Sequence, residues 1–183
     1  SMLPGPVTYY DVQKVFGIQN GEVPQRRSLE YAIDELGIRK GKDFHRALAD
    51  AIYTAKVLQT LDMEKVFVYS SVDVYQNPKK RKEEIFLSYP EYDQYIFREF
   101  VDKDRIMKDR EVTSTRCPIC HFPAKRKLRW FLNNSKAYES LSLCQKHGWV
   151  HGKIRIYHTE DEKYYPVKTL KNVDEKAAEE LRE

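Results

Sequence analysis

Two short cysteine–histidine pairs constrain this chain more than any other feature. Cys117-Pro-Ile-Cys120 and Cys144-Gln-Lys-His147 read as C-x2-C and C-x2-H, with residues 121–143 between them. A two-residue spacing lets one tight turn aim both side chains at a single ion. Thiolate and imidazole together suit tetrahedral Zn²⁺. Four protein ligands complete the shell, so such a site is structural and has no open position for chemistry. His121 and His151 are alternative fourth ligands; His121 directly follows Cys120 and is expected to point away. The residues between the pairs predict a hairpin, Lys127–Leu132 and Lys136–Leu143, around Asn133-Asn134-Ser135. A second hairpin is expected from Lys153–His158 and Tyr164–Leu170, and Asp174 is placed to cap a last helix over Glu175–Arg182. The expected result is a small zinc-ribbon-like module whose folding depends on its metal.

Charge gathers on this module. From Cys117 to His158 stand eight Lys or Arg and one acid, Glu139. Aromatic residues are interleaved. Basic side chains contact phosphates and aromatic rings stack on unpaired bases. Lys125, Arg126, Lys127, Arg129 and Trp130 are therefore the candidate nucleic-acid-binding residues, for single-stranded DNA or RNA. The opposing reading puts the aromatics in a small core and the lysines in solvent.

The first third of the chain has a different texture. Thr8–Phe16 predicts a short helix stopped by Gly17, and Ser28 can cap a helix over Leu29–Leu36 that Gly37 ends. A third helix is expected from Arg46 to Leu61, with Leu48, Ala51, Ile52, Ala55, Leu58 and Leu61 facing inward. Val66–Tyr75 is β-branched and aromatic and predicts a strand or strand pair. Asn77-Pro78 predicts a turn leading into a basic run, and part of 91–110 a helix. His45 falls at the mouth of the third helix and Asp50 in or just after its first turn. Carboxylates suit Mg²⁺ or Mn²⁺. A histidine beside such ions can take the proton of an attacking water.

His45, Asp50 and the flanking Ser28–Ile38 segment resemble the last active-site motif of the DEDDh family of 3′–5′ exonucleases, the group of the polymerase proofreading subunit. The resemblance covers about residues 7–62. It implies His45 as general base and Asp50 as ligand of a Mg²⁺ or Mn²⁺ ion, in a site that also needs an Asp-x-Glu and a middle aspartate. Asp62-Met-Glu64 has the letters of the former but follows the helix. The chain is thus expected to be catalytically incomplete by itself. The alternative is a zinc-dependent nucleic-acid-binding or adaptor protein that keeps a degenerate exonuclease segment.

The expected fold class is α+β: a helical C-terminal remnant of a ribonuclease-H-like exonuclease domain (1–62), a connecting strand/helix segment (63–112), then the β-rich zinc-ribbon-like module with its C-terminal helix (113–183). The remnant's helices need cover for their apolar faces, from the 66–75 strands or from a second copy of the chain in a homodimer. With 41% hydrophobic and 33% charged residues and a net charge of +4, cores are modest. No apolar run approaches the roughly 20 residues of a membrane span, and no signal peptide is expected at the N-terminus. Three cysteines do not read as a disulfide framework and fit a reducing cytoplasm and a metal site.

Overall fold

The computed structural model describes residues 6–21, 27–41, 46–73, 77–134 and 136–182. It is mixed α+β, with seven α-helices and two antiparallel sheets among the described residues. Two compact units divide the chain, Ser1–Tyr75 and Gln76–Glu183. No helix among the described residues is long and apolar enough to cross a membrane.

The first unit pairs two short antiparallel strands, β1 (Val7–Tyr9) and β2 (Ser71–Asp73). Four helices lie between them in sequence: α1 (Val12–Gln19), α2 (Leu29–Glu35), α3 (Ala47–Thr60) and α4 (Met63–Val68). Ser28 caps α2 by accepting from the Tyr31 amide at 3.1 Å. Gly37 stops it as expected, in the left-handed region at φ +63°.

Three expectations for this unit are corrected. Tyr9 is in a strand, and α1 begins only where Asp11 can cap it, so the helix runs through Gly17. Residues 66–68 are helical, not extended, because Asp62 caps α4 by accepting from the Glu64 amide at 3.1 Å; residues 74 and 75 lie outside the described residues. In α3 the buried line is Tyr53, Val57 and Leu61, whereas Leu48 and Ile52 are 75% and 48% exposed. This helix is apolar almost all round, so its periodicity does not select a face. Tyr53 settles the choice: its hydroxyl accepts from the Gly41 amide at 2.6 Å.

The second unit is built on one six-stranded antiparallel sheet. Its strands are β3 (Ile85–Ser88), β4 (Tyr92–Ile96), β5 (Lys125–Leu132), β6 (Tyr138–Cys144), β7 (Gly148–His158) and β8 (Tyr164–Val173), in the order β3-β4-β8-β7-β6-β5. Both expected hairpins are present, β5 with β6 and β7 with β8. The sheet is wider than a ribbon because residues 85–96 supply two more strands, so the helix expected over part of 91–110 is confined to α5 (Lys103–Lys108) and α6 (Arg110–Thr113). A buried Asp93 hides β4 from a reading of polarity. It is 0% exposed and accepts from Ser88 Oγ at 2.7 Å. Asp174 caps α7 (Glu175–Glu180), donor Ala177 N at 2.8 Å.

Cross-strand pairing fixes which residues share a face. Cys144, Val150, Ile154, Lys168 and Leu170 lie on one face, where two apolar clusters form. Phe97, Ile106, Val112 and Ile154 make the first; Cys117, Cys144, Val150 and Leu170 make the second. Lys168 sits against the first with 2% of its surface exposed. Its ammonium donates to the Glu111 and Ser114 carbonyls, both at 2.9 Å, and lies over the Tyr95 and Phe97 rings at 4.7 and 4.9 Å. It thereby supplies a donor to two carbonyls at the end of α6, where the helix has no further amides to offer.

Burial lowers the Lys168 pKa from 10.5 to about 7, with the Arg116 charge adding to the effect. Between those values the unfolded chain holds a proton that the folded chain does not, so folding is favoured as pH rises. Urea unfolding of the unmodified protein and Lys168→Met is expected to show this. The unfolding free energy of the unmodified protein should gain on the variant by up to about 1.4 kcal/mol per pH unit above pH 7. A pH-independent difference would mean Lys168 stays charged throughout.

Candidate metal centre

Two tight turns bring the cysteine–histidine pairs together. Beyond α6, the Cys117 amide donates to the Phe122 carbonyl at 3.0 Å and the His121 amide to the Cys117 carbonyl at 2.7 Å. His121 takes the positive φ of 55° that this turn requires. The second pair spans the β6–β7 turn, where Cys144 pairs with Gly148 and Gly148 has φ +76°. Each C-x2 spacing therefore lies across the end of a hairpin, and both hairpin ends meet on the packed face of the sheet.

The ligand atoms of Cys117, Cys120, Cys144 and His147 all lie within 4.8 Å of one another. Cys120 Sγ is 3.7 Å from Cys144 Sγ, and His147 Nδ1 is 3.5 Å from Cys117 Sγ and 3.8 Å from Cys144 Sγ. A tetrahedral ion with bonds of about 2.3 Å to sulfur and about 2.0 Å to nitrogen separates its ligands by roughly 3.8 Å (S···S) and roughly 3.5 Å (S···N). The observed spacings match these, and the three cysteines are free, not disulfide-bonded. The donor set thus fits a metal ion such as zinc, with His147 binding through Nδ1.

The surroundings favour bound thiolate unevenly. Burial opposes ionisation of Cys144 but is outweighed by the Lys146 and His147 amides and the neighbouring thiols, which bring its pKa down to about 6. Burial raises that of Cys117, against the pull of the Cys120 and Ile119 amides. Asn172 on β8 is a supporting residue that sequence reasoning missed. Its amide donates to the His147 and Trp149 carbonyls at 3.2 and 3.4 Å and stands 4.0 Å from Cys117 Sγ. Only the β7–β8 register puts it there, so no local signal could have singled it out.

Neither alternative histidine belongs to the centre. His121 turns its Nδ1 to Asp93 Oδ2 at 3.3 Å. His151 pairs with Leu141 and Lys171, which puts it on the opposite face of the sheet from Cys144.

The remaining described candidates fall on α3 and β5. Asp50 lies in the first turn of α3, partly buried; its carbonyl accepts from Thr54 Oγ1 at 2.8 Å. His45 lies outside the described residues. Lys125, Arg126, Lys127, Arg129 and Trp130 all fall on β5, an edge strand. Arg126 and Trp130 are committed there: Arg126 Nη2 and Trp130 Nε1 donate to the Thr113 carbonyl at 2.8 and 2.9 Å. Trp130 packs with the Ile154 cluster. Lys125, Lys127 and Arg129 are exposed. Comparison with protein-family models, with curated proteins and with solved structures gives no match to this chain.

Proposed function

We propose that this chain is the C-terminal portion of a metal-dependent 3′–5′ exonuclease of the DEDDh type, carrying a zinc-stabilised module that holds nucleic acid. The observation that carries the reading is the order of elements in the first unit. A Ser28-capped helix precedes a long helix with Asp50 in its first turn, as in the family's last motif. Asp50 would then be a ligand of Mg²⁺ or Mn²⁺, and His45, just before that helix in sequence, the general base. The Asp-x-Glu and middle aspartate are not supplied by these elements, so the chain is not expected to cut nucleic acid alone.

The Cys117, Cys120, Cys144 and His147 centre supports the second half of the proposal. Zinc held by four protein ligands has no vacant position for water or substrate, so its role is structural. That same closure favours the alternative, a zinc-dependent nucleic-acid-binding or adaptor protein with a degenerate exonuclease segment.

An exonuclease assay with Mn²⁺, on the product of the complete reading frame, separates the two. Shortening of 3′ ends should fall by about 10²–10⁴-fold in His45→Ala, the contribution usual for a general base, and comparably in Asp50→Ala. Equal rates in the variants and the unmodified protein would leave the adaptor reading.

A further inference from the structure

The six-stranded sheet packs both apolar clusters on one face and buries only Leu141, Tyr92 and Ile96 among the described apolar residues of the other. The pairs Glu139–Lys153, Leu141–His151, His151–Lys171, Arg155–Val167 and Tyr157–Tyr165 point to the other face, as does Phe131 through its pairing with Glu139. We infer that this second face is a binding surface for single-stranded nucleic acid. Lys153, Arg155 and Lys171 would meet phosphates, and Phe131 and the Tyr157–Tyr165 pair would meet bases. The inference rests on the nucleic-acid reading above and says which surface serves it.

Charge and ring geometry favour this occupant. The three cations stand on adjacent strands, and Glu139 is the one acid in the pairs just named. Glu139 is buried, accepts from the Asn133 side-chain amide at 2.7 Å and pairs with Lys153 Nζ at 3.0 Å, an ammonium that stays partly exposed and has further protons to donate to a phosphate. Arg155 is exposed, and no carboxylate among the described residues pairs with it. Tyr157 and Tyr165 stack with centroids 5.3 Å apart and planes 21° apart. Phe131 and Tyr157 are 36% and 41% exposed. Fixed aromatic surface beside cations is what sequence-tolerant single-strand binding uses. On the core face Arg126 and Trp130 are instead tied to the Thr113 carbonyl. At the Trp149 end α7 closes the open face: Trp149 Nε1 donates to Glu175 at 2.6 Å and Arg182 covers the ring at 4.2 Å.

The test is fluorescence anisotropy of the full chain with a labelled oligothymidylate across a salt series. Arg155→Glu should weaken binding about tenfold and flatten the log–log salt slope by about 1. Lys103→Glu, an exposed site in the first turn of α5, carries the same charge change and should leave both unaltered. Phe131→Ala should weaken binding severalfold at unchanged slope. Zinc content and melting temperature identify any variant that has lost its fold. If the unmodified chain binds but Arg155→Glu and Lys103→Glu weaken it equally, or if Arg155→Glu and Phe131→Ala both leave it unchanged, this surface is wrong while the nucleic-acid reading stands. Absence of salt-sensitive binding by the unmodified chain would overturn that reading too. Polyglutamate competing as well as unlabelled oligothymidylate would overturn the inference in favour of an acidic protein partner.

Discussion

Removing the metal, or replacing Cys117 with serine, is expected to cost the second unit on the order of 5 kcal/mol of stability. The figure is below the roughly 10–16 kcal/mol that a structural zinc supplies when it organises a whole small domain. The reason is the division of the core. The Phe97, Ile106, Val112 and Ile154 cluster contains no ligand, so part of the sheet keeps its packing. The other cluster has two ligands, Cys117 and Cys144, among its four buried members. Without the ion, three thiols and an imidazole face one another at under 5 Å with only weak sulfur hydrogen bonds between them, and the two turns lose their tie. Metal analysis should find one zinc in the unmodified chain and none in Cys117→Ser. Unfolding followed by circular dichroism should shift downward on chelation. A chain that melts identically with and without chelator would show that the four side chains gather without a metal.

Gly152→Ala is the second large effect, expected at about 3 kcal/mol of destabilisation, the upper end of the usual cost of overpacking a core. A Cβ at position 152 would stand 2.7 Å from Trp130 Cη2, 2.8 Å from Ser140 Oγ and 3.3 Å from Leu170 Cδ2. The indole cannot swing aside freely, because its N–H is bonded to the Thr113 carbonyl at 2.9 Å. Serine and leucine close the remaining space from the two neighbouring strands. Gly148→Ala is the contrast. Nothing lies within 4 Å of its Cβ position, but φ is +76°, so the cost is backbone strain of about 1–2 kcal/mol. Urea unfolding of the two variants reads the difference. A neutral Gly152→Ala would mean that Trp130 does not lie over β7, and Trp130→Phe should partly rescue the alanine variant if it does.

Much of the second unit was legible from local chemistry. The hairpins around Asn133 and over 159–163 announced themselves through alternation and turn residues. Asp174 and Ser28 announced their helices through capping. What was missed has a common cause. β4 carries a buried aspartate and two tyrosines, so its alternation is masked by residues whose burial depends on Ser88 and on the next strand. Helix α3 has apolar residues on every side, and only the bond between Tyr53 and the Gly41 amide selects the inward face. Residues 66–68 favour a strand by composition but became helix because Asp62 caps them.

The sequence by itself picked out the four side chains that gather at the candidate metal centre, with His121 and His151 left as alternatives to His147. Two-residue spacings bring each pair within reach of one ion whatever the rest of the chain does, so the three cysteines and His147 could be favoured without a fold, while the sheet register was needed to set His151 aside. Which face of the sheet holds the centre, and which remains open, is a property of register. In a strand, successive side chains alternate between faces, and the pairing that sets that alternation against five other strands is a long-range matter. Only the tertiary structure therefore turned Arg126 and Trp130 toward Thr113, placed Asn172 beside Cys117, and left Lys153, Arg155 and Lys171 together on the other side.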